Sequence, residues 1–339
     1  MKKPYVTVLM SVYNGKTYLR EAISSILNQT FTDFEFLIID DGSTDDSAAI
    51  IHSYTDPRIR YVSNGQNKGL HYSLNRGLEL AEGTYIARMD CDDRSAPIRL
   101  ERQVAFMDSC LDIAVCGTWI ETIGDKAGFV KKYFTDPADI HASLLFNTSI
   151  AHPSVLMRKS ALCEHNLTYD TGFKYFEEDY NLWVELARVG KLANIPEVLF
   201  FYRIHKKSVT HIHTEDRKSG VSLIRRKQLE WLGLTPSEED MRIHNSLYPK
   251  DGESVGVFLD SAETWLREIQ KANKTACIYT EEALSKILYI RWYTLCGQNT
   301  QYGFSVFKTF VHSPLYKENK TKRRFDHFKI LIKSLLGSF

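Results

Sequence analysis

The sequence has few of the features that mark disulfide-rich, zinc-binding or membrane-spanning proteins. Its six cysteines, spread over 339 residues, show no Cys-x-x-Cys spacing. This favours reduced thiols in a cytosolic protein over a disulfide framework or a zinc site. No window approaches 18 apolar residues, so we expect no membrane-spanning helix. The net charge is only +1, which argues against nucleic acid as a partner.

The first apolar run, residues 5–12, is short. It follows two lysines but stops at Asn14-Gly15 without a small-residue cleavage site, so we predict a first strand and no signal peptide. Hydrophobic residues make up 43% of the chain and charged residues 25%. Such a chain can bury the core of one large domain or two ordinary domains.

Strand and helix patterns alternate through the first 210 residues. Apolar, β-branched runs at residues 5–10, 36–39 and 59–63 predict strands, and another strand begins near Gly83. Helical patterns lie between them, with a clear apolar face at residues 19–27. Short connections between such elements predict βαβ units. We therefore predict an α/β fold with a mostly parallel sheet flanked by helices and a Rossmann-like half.

Two of these predicted strands end in acidic residues. Asp40-Asp41 follows the second strand, and Asp90-Cys91-Asp92-Asp93 follows the fourth. The carboxyl ends of parallel strands share one edge of the sheet, where open α/β folds bind ligands. Asp-x-Asp at this edge can hold a divalent cation that carries a diphosphate. The alternative is that Asp92 or Asp93 only caps the next helix.

A third acidic group, Glu177-Glu178-Asp179, precedes a helical pattern that includes Trp183. By itself it could simply complement the dipole at the helix start. A further strand is predicted at residues 199–205, and it ends in Arg203 and His205.

Helical patterns dominate after about residue 210. We divide the chain into a domain of residues 1–210 and a C-terminal helical domain of residues 211–339. Thr235-Pro236-Ser237-Glu238 predicts a capping box with Pro236 at the first helical position.

Basic and apolar residues alternate in the tail, about residues 317–339. The bases are Lys320, Lys322, Arg323, Arg324, Lys329 and Lys333, and the apolar residues are Phe325, Phe328, Ile332, Leu335, Leu336 and Phe339. This pattern predicts an amphipathic helix lying on an anionic membrane surface. The alternative is a helix that packs on its domain and exposes its basic face to solvent.

Four motifs, in this order and spacing, resemble the family 2 inverting glycosyltransferases with the GT-A fold. They are Val8-Leu9-Met10-Ser11-Val12-Tyr13-Asn14, Ile38-Ile39-Asp40-Asp41-Gly42-Ser43-Thr44-Asp45, Gly83-x-Tyr85-Ile86 with Asp90-x-Asp92-Asp93, and Glu178-Asp179-Tyr180 with Trp183. The resemblance covers about residues 4–210. Tyr202-Arg203-x-His205 and the segment 83–97 are also similar to bacterial β-1,3-N-acetylglucosaminyl- and galactosyltransferases that build lipopolysaccharide or capsule.

The resemblance implies a UDP-sugar donor with Mn²⁺ or Mg²⁺. By match, the Asp40-Asp41 pair holds the nucleoside, and Asp41 accepts the uracil N3–H. By the same match, Ser11 and Tyr13 contact the base and Asp90 the ribose, while Asn67 and Lys68 face the nucleotide. Asp92 binds the metal, and Asp90 and His205 are further metal candidates.

The resemblance also implies that Asp179 is the general base, which takes the proton of the acceptor hydroxyl during direct displacement. Glu178 would orient the acceptor or the sugar. The acceptor would be a glycan or a lipid-linked glycan, and the protein would be cytoplasmic, peripheral on the inner face of the plasma membrane.

The sequence departs from the family pattern at one position and lacks the features of processive synthases. Cys91 stands where alanine is commoner, and the chain lacks the Gln-x-x-Arg-Trp pattern and the transmembrane helices of processive synthases. We therefore expect one sugar to be added per acceptor. Two other classes stay open: a nucleotidyltransferase, although residues 11–16 match its glycine-rich basic loop poorly, and a non-catalytic module that binds nucleotide-sugar or glycan.

Overall fold

The computed structural model describes residues 3–172, 178–205, 214–318 and 326–336. The chain divides into two compact units, one of Met1–Ile140 with Thr148–Gly220 and one of His141–Asn147 with Val221–Phe339. The boundary after Gly220 falls within the helix Thr214–Trp231. The division at residue 210 stays a prediction.

The first unit contains one nine-stranded sheet. Its strands are β1 (Val6–Val12), β2 (Phe34–Asp40), β3 (Ile59–Ser63), β4 (Tyr85–Asp90), β5 (Arg94–Ser95), β6 (Ile113–Gly124), β7 (Val130–Lys131), β8 (Leu156–Arg158) and β9 (Lys191–Ile204). The strand order is β3-β2-β1-β4-β8-β6-β9-β5, and β7 pairs with β6. Strands β3, β2, β1 and β4 are parallel, as predicted, whereas β8 runs antiparallel to both β4 and β6. The fold is therefore α/β with a mixed sheet.

Helices cover the sheet because its central strands are apolar on both faces. The helices that begin before residue 200 are α1 (Leu19–Leu27), α2 (Ser47–His52), α3 (Leu70–Leu80), α4 (Arg99–Ser109), α5 (Pro137–Ser143), α6 (Lys159–Glu164) and α7 (Glu178–Leu186). On one face of β1, Val8 and Met10 join the apolar face of α1 in the main core. On the other face, Leu9 lies so close to α3 that a Cβ on Gly77 would collide with it. This alternation follows from the two-residue period of a strand.

The last strand is longer than predicted. Strand β9 begins at Lys191, whereas the sequence pattern placed its start at residue 199. It pairs in parallel with β6 from Ile113 to Gly124, with irregular register near Thr118 and Trp119. Because the partner strand is long, residues 191–195 and Val198 are also paired with β6, and the local sequence pattern does not reveal this.

The second unit is helical in its described residues. Its helices are α8 (Thr214–Trp231), α9 (Glu238–Asn245), α10 (Val255–Ala276), α11 (Glu281–Gln298), α12 (Phe304–His312), α13 (Pro314–Lys317) and α14 (Asp326–Leu336). Helix α9 does have a capping box, but Ser237 is the N-cap and Asp240 its partner. The predicted box, with Pro236 inside the helix, was wrong by two residues, because Ser237 accepts the Asp240 N–H while the Asp240 carboxylate accepts the Ser237 N–H.

Within the part of the chain that the structure describes, no helix is both long enough and apolar enough to cross a bilayer.

Candidate functional site

The register of β1 brings residues from three strands to one edge of the sheet. Ser11 lies opposite Asp90 of β4, and Val12 lies opposite Asp40 of β2. Ser11 and Asp40 are buried, whereas Tyr13, in the loop that follows β1, is 48% exposed. Parallel pairing therefore places a hydroxyl and two carboxylates at the edge predicted from the sequence, next to an exposed aromatic ring.

Asp41 ties a second loop to this edge. Its carboxylate accepts hydrogen bonds from the backbone N–H groups of Lys68 (3.0 Å) and Gly69 (2.9 Å), and from Asn64 Nδ2 (2.7 Å). Gly42, at φ +73°, lets the two loops approach, since a Cβ there would lie 2.5 Å from the carbonyl carbon of Gln66. A carboxylate offers about four acceptor positions, so Asp41 keeps about one for another donor.

The predicted nucleotide contacts differ in how they face the site. The side chains of Asn67 and Lys68 are exposed. Lys68 reaches Asp41 through its backbone, while its ammonium lies 4.6 Å above the ring of Tyr72 on α3. Asp40 accepts hydrogen bonds from the Ser43 N–H and the Tyr61 hydroxyl. The side chain of Asp40 thus supports the loop that follows β2.

The loop after β1 is fastened to the loop after β2 by Asn14. Its Oδ1 accepts the N–H of Thr44 at 2.8 Å, and its own N–H donates to Ser43 Oγ at 3.0 Å. Asn14 adopts φ 52°, a left-handed conformation that asparagine tolerates better than most residues. These contacts fix the backbone next to Tyr13, whose ring is exposed.

The acidic motif after β4 reaches three different partners. Asp90 Oδ1 lies 2.5 Å from Arg88 Nη2, and Asp92 Oδ2 lies 3.0 Å from His205 Nε2. Asp93 is buried and accepts the backbone N–H of Arg203 at 2.7 Å. Asp93 therefore joins the end of β4 to the end of β9.

Like charges make this motif a place for a cation. Burial raises the pKa of Asp92, and the charge of Asp90 raises it further against the opposing effect of His205. Burial, followed by the charges of Asp90 and Asp92, raises the pKa of Asp93 well above its usual value. Among the described residues no three His, Cys, Asp or Glu side chains form a complete metal cage. Asp92 and His205 are two donors that fit a divalent cation whose other ligands come from a substrate.

Arg203 supports the acidic motif after β4, a role that the sequence did not reveal. Its Nε donates to the carbonyl of Asp92 at 2.6 Å, and its Nη2 pairs with Glu21 of α1 at 2.6 Å. Its guanidinium also lies 4.4 Å above the ring of Tyr18. The only signal in the sequence was a cation at the end of a predicted strand. Arg203 holds the acidic motif against α1.

The third acidic group begins helix α7. Glu177 lies outside the described residues, Glu178 is buried, and Asp179 is partly exposed. Glu178 Oε2 lies 3.5 Å from His71 Nε2, and Asp179 Oδ1 accepts the N–H of Tyr180 at 2.7 Å. Both carboxylates lie in the first turn of α7, where acidic side chains complement the helix dipole.

Electrostatics connect α7 to the edge of the sheet. Burial raises the pKa of the Tyr169 phenol, the charge of Arg88 lowers it, and the charges of Glu178, Asp179 and Asp90 raise it. Tyr169 is fully buried, and its hydroxyl lies 2.9 Å from His152 Nε2. Arg88 and Tyr169 are both buried, and neither was singled out from the sequence as a candidate site residue.

Known proteins resemble this chain over most of the first unit. The family model described as Glycosyl transferase family 2 matches residues 7–181. An uncharacterized glycosyltransferase of Haemophilus influenzae is 34% identical over 256 residues, which cover 72% of this chain and 79% of the relative. The O-antigen biosynthesis glycosyltransferase WbnJ of Escherichia coli is 34% identical over 212 residues, covering 60% and 81%. The Escherichia coli UDP-Glc:alpha-D-GlcNAc-diphosphoundecaprenol beta-1,3-glucosyltransferase WfaP is 30% identical over 208 residues, covering 60% and 79%.

Solved structures show the same fold at low sequence identity. Staphylococcus aureus TarS 1-349 in complex with UDP-GlcNAc has a TM-score of 0.57 and 15% identity, covering 88% of this chain and 91% of that chain. The mannosyltransferase PcManGT from Pyrobaculum calidifontis, in complex with GDP-Man and Mn²⁺, has a TM-score of 0.53 and 15% identity, covering 99% and 86%. The fold predicted from the sequence is confirmed. The family match decides against the nucleotidyltransferase and the non-catalytic module. The chain belongs to glycosyl transferase family 2 and is a glycosyltransferase with the GT-A fold.

Proposed function

We propose that the protein transfers one hexose or N-acetylhexosamine at a time, with inversion, from a UDP-sugar to a glycan acceptor. The observation that carries the proposal is the register of β1, which aligns Ser11 with Asp90 and Val12 with Asp40 at one edge of the sheet. Asp92 with His205 and the start of α7 with Asp179 complete the set of residues.

On the donor side, each residue has a task that suits its position. Tyr13 presents an exposed ring on which a base can stack. The remaining acceptor position of Asp41 suits the N3–H of uracil, and Asp90 suits the ribose hydroxyls. The names of WfaP and of the TarS complex include UDP-Glc and UDP-GlcNAc, which supports a UDP-sugar over the GDP-sugar bound by PcManGT.

Asp92, with His205 and Asp90 as further candidates, would hold Mn²⁺ or Mg²⁺. When bound, the cation would stabilise the negative charge that develops on the diphosphate leaving group. Arg203 and Asp93 keep the motif in place, since they join the ends of β4 and β9.

On the acceptor side, Asp179 would take the proton of the acceptor hydroxyl. As this proton leaves, the acceptor oxygen forms a bond to the anomeric carbon, and the bond from that carbon to the diphosphate oxygen breaks. UDP departs from the opposite face, so the configuration inverts. Glu178, buried beside His71, would orient the acceptor or the sugar.

A lipid-linked acceptor is the class we favour. The name of WfaP specifies an acceptor sugar on diphosphoundecaprenol, and that of WbnJ specifies O-antigen biosynthesis. The acceptor would then be a precursor of lipopolysaccharide or capsule, or another lipid-linked oligosaccharide. An enzyme acting on them would work at the inner face of the plasma membrane.

A thermal-shift screen of UDP-, GDP- and dTDP-sugars, each with Mn²⁺, tests the donor. A UDP-sugar should stabilise the protein, by about 2.7 kcal/mol when its concentration is 100 times Kd. Repeating the screen with EDTA is the control, and it should reduce the shift. Stabilisation by GDP-sugars alone would contradict the proposed donor, and the stabilising sugar can then be assayed for transfer.

Helix α14 has two different faces, which bears on membrane contact. Ile330 and Ser334 are buried, and Asp326 accepts the hydroxyl of Tyr289 at 2.8 Å. On the opposite face, three apolar side chains are each about half exposed: Phe328, Ile332 and Leu335. The exposed Lys329 and Lys333 lie between them in the sequence. The other tail residues of the predicted pattern, Lys320, Lys322, Arg323, Arg324, Phe325 and Phe339, lie outside the described residues, and for Leu336 only the backbone is described. We propose that the exposed face of α14 lies on an anionic membrane.

Ile332→Gln combined with Leu335→Gln should lower the affinity for phosphatidylserine vesicles in co-sedimentation about 30-fold. Each half-exposed side chain loses about 1 kcal/mol of apolar transfer energy when it becomes polar. The matched control is Leu223→Gln with Val257→Gln, which removes two exposed apolar residues elsewhere in the second unit. Equal binding of both double variants and of a chain ending at Tyr316 would exclude α14 from membrane contact. Equal binding to neutral vesicles would argue against anionic lipid.

A further inference from the structure

Helix α3 begins at the donor loop and carries two side chains that contact α7 or the chain before it. Its N-cap is Gly69, whose N–H donates to Asp41 at 2.9 Å. His71 and Asn75 lie one turn apart on the same face of α3, because residues four apart are neighbours on a helix surface. His71 Nε2 lies 3.5 Å from Glu178 Oε2, in the first turn of α7. One helix thus contacts both sides of the candidate site.

Asn75 holds the backbone of Tyr169 by two hydrogen bonds. Its Oδ1 accepts the Tyr169 N–H at 2.8 Å, and its Nδ2 donates to the Tyr169 carbonyl at 2.8 Å. Tyr169 is fully buried, and it precedes α7 in the chain. Buried backbone groups need hydrogen-bond partners, so this pairing fixes where the segment that contains Tyr169 lies against α3.

The side chain of Tyr169 extends this connection to α7. Its hydroxyl lies 2.9 Å from His152 Nε2. The ring of His152 packs edge-on against Trp183, with 5.9 Å between the ring centroids. Trp183 is fully buried and lies on α7, one turn after Asp179. Contacts therefore run from Asn75 through Tyr169 and His152 to the helix that carries the proposed base.

We propose that Asn75 is a positioning residue that keeps α7, and with it Asp179, at a fixed distance from the donor loop. This inference rests on the proposed role of Asp179 as the base. Without Asn75, Tyr169 and His152 would lose the contact that fixes them to α3, and the first turn of α7 would shift relative to the donor. A displacement of about 1 Å in a catalytic group can cost about 100-fold in rate. Donor binding should change little, since Asp41 holds the donor loop through backbone N–H groups.

Asn273 offers a matched control in the second unit. It lies on α10 and makes the same pair of bonds with another tyrosine. Its Oδ1 accepts the Tyr279 N–H at 2.9 Å, and its Nδ2 donates to the Tyr279 carbonyl at 2.8 Å. Asn273→Leu therefore removes the same two hydrogen bonds as Asn75→Leu, without changing the connection from α3 to α7.

The experiment compares the full-length wild type with Asn75→Leu, Asn75→Asp and Asn273→Leu, at matched folded fraction. Sugar transfer from the UDP-sugar that the thermal-shift screen selects gives kcat, and calorimetry gives the Kd of UDP. Asn75→Leu should lower kcat about 100-fold and leave the Kd of UDP within about threefold of wild type. Asn75→Asp can accept the Tyr169 N–H but cannot donate to the carbonyl, so it should lower kcat about tenfold. Asn273→Leu should keep both parameters within about threefold of wild type.

A double variant separates positioning of the base from a general packing effect. Asn75→Leu is combined with Asp179→Asn, which removes the base. If Asn75 acts through Asp179, the double variant should transfer sugar within about threefold of the rate of Asp179→Asn alone, because residues that act as a unit give non-additive losses. A further loss of about 100-fold in the double variant would mean two independent effects and would overturn the inference.

Hydrogen exchange at α7 tests the connection without an acceptor. Its amides should exchange faster in Asn75→Leu than in the wild type or in Asn273→Leu, because α7 loses its support against α3. Unchanged exchange in a folded Asn75→Leu would overturn the inference.

Four other outcomes would also decide against it. One is a folded Asn75→Leu with kcat within about threefold of wild type, and another is an equal loss of kcat in Asn273→Leu. If Asn75→Leu does not fold, Asn75→Asp decides, since wild-type kcat in that variant would exclude a need for both bonds. Wild-type protein that transfers no sugar from any donor would overturn the proposed function and this inference with it. An active wild type with unaffected Asn75 variants would overturn the inference alone.

Discussion

Replacing Asp179 with Asn should lower kcat for sugar transfer about 1,000-fold while leaving UDP binding within about threefold of wild type. The amide is nearly the same size as the carboxylate but cannot accept the proton of the acceptor hydroxyl. Its oxygen can still accept the Tyr180 N–H, so the capping contact at the start of α7 should survive. The loss should therefore appear in kcat and leave the donor site intact. Steady-state transfer assays and calorimetry with UDP measure the two effects.

A second carboxylate on the same helix is the control. Glu185 is largely buried and pairs with Arg188 at 3.4 Å, near the end of α7. Glu185→Gln should keep kcat within about threefold while lowering stability slightly. If Asp179→Asn retains more than about a tenth of wild-type kcat, Asp179 is not the base. If UDP binding is lost as well, the residue acts mainly on structure.

Asp92→Ala should abolish metal-dependent use of the donor, with a loss in kcat/KM of about 100- to 1,000-fold. Charge stabilisation by a bound cation contributes several kcal/mol, and about 1.4 kcal/mol corresponds to a tenfold change in rate. Hydrolysis of the UDP-sugar in the presence of Mn²⁺ should be lost in the same variant. In the wild type, EDTA should produce a similar loss, and added Mn²⁺ should reverse it. In Asp92→Ala, neither EDTA nor Mn²⁺ should change the residual rate.

Two further variants separate metal binding from a general change of charge. Asp46→Ala removes an exposed carboxylate that pairs with Lys16, and it should keep the metal dependence. His205→Gln removes the imidazole that lies 3.0 Å from Asp92 and should cost about 10- to 100-fold, as changes beside a metal ligand commonly do. An Asp92→Ala protein that still responds to Mn²⁺ would refute this assignment of the metal site.

Much of the first unit could be predicted because its signals are local. A continuous apolar run marks β1, and apolar residues at helical spacing mark α1. Both patterns can be read from the sequence without knowledge of the fold. Asp40 and Asp90 follow such runs, so their place at strand ends is also local information. The same logic failed for the start of β9, since the pairing of residues 191–195 and Val198 depends on the length of β6, a remote strand.

The site was only partly predictable, because its carboxylates depend on distant partners. Asp92 meets His205, which is 113 residues later in the chain, and Asp93 meets the backbone of Arg203, 110 residues later. Asp41 is bonded to backbone amides of the Lys68 loop, which no pattern of side chains signals. Arg88, which pairs with Asp90, was not singled out from the sequence.

The sequence by itself determined the α/β class, the carboxylates at the ends of β2 and β4, and the acidic start of α7. Periodicity and strand-end position carry that information within a few residues. Only the tertiary structure decided which basic side chain lies beside each carboxylate. Asp90 pairs with Arg88 across one strand face, Asp92 pairs with His205 across the sheet, and Glu178 lies against His71. A carboxylate that loses contact with water needs a partner that stabilises it. The fold can supply that partner from any part of the chain, so a local sequence pattern does not identify it.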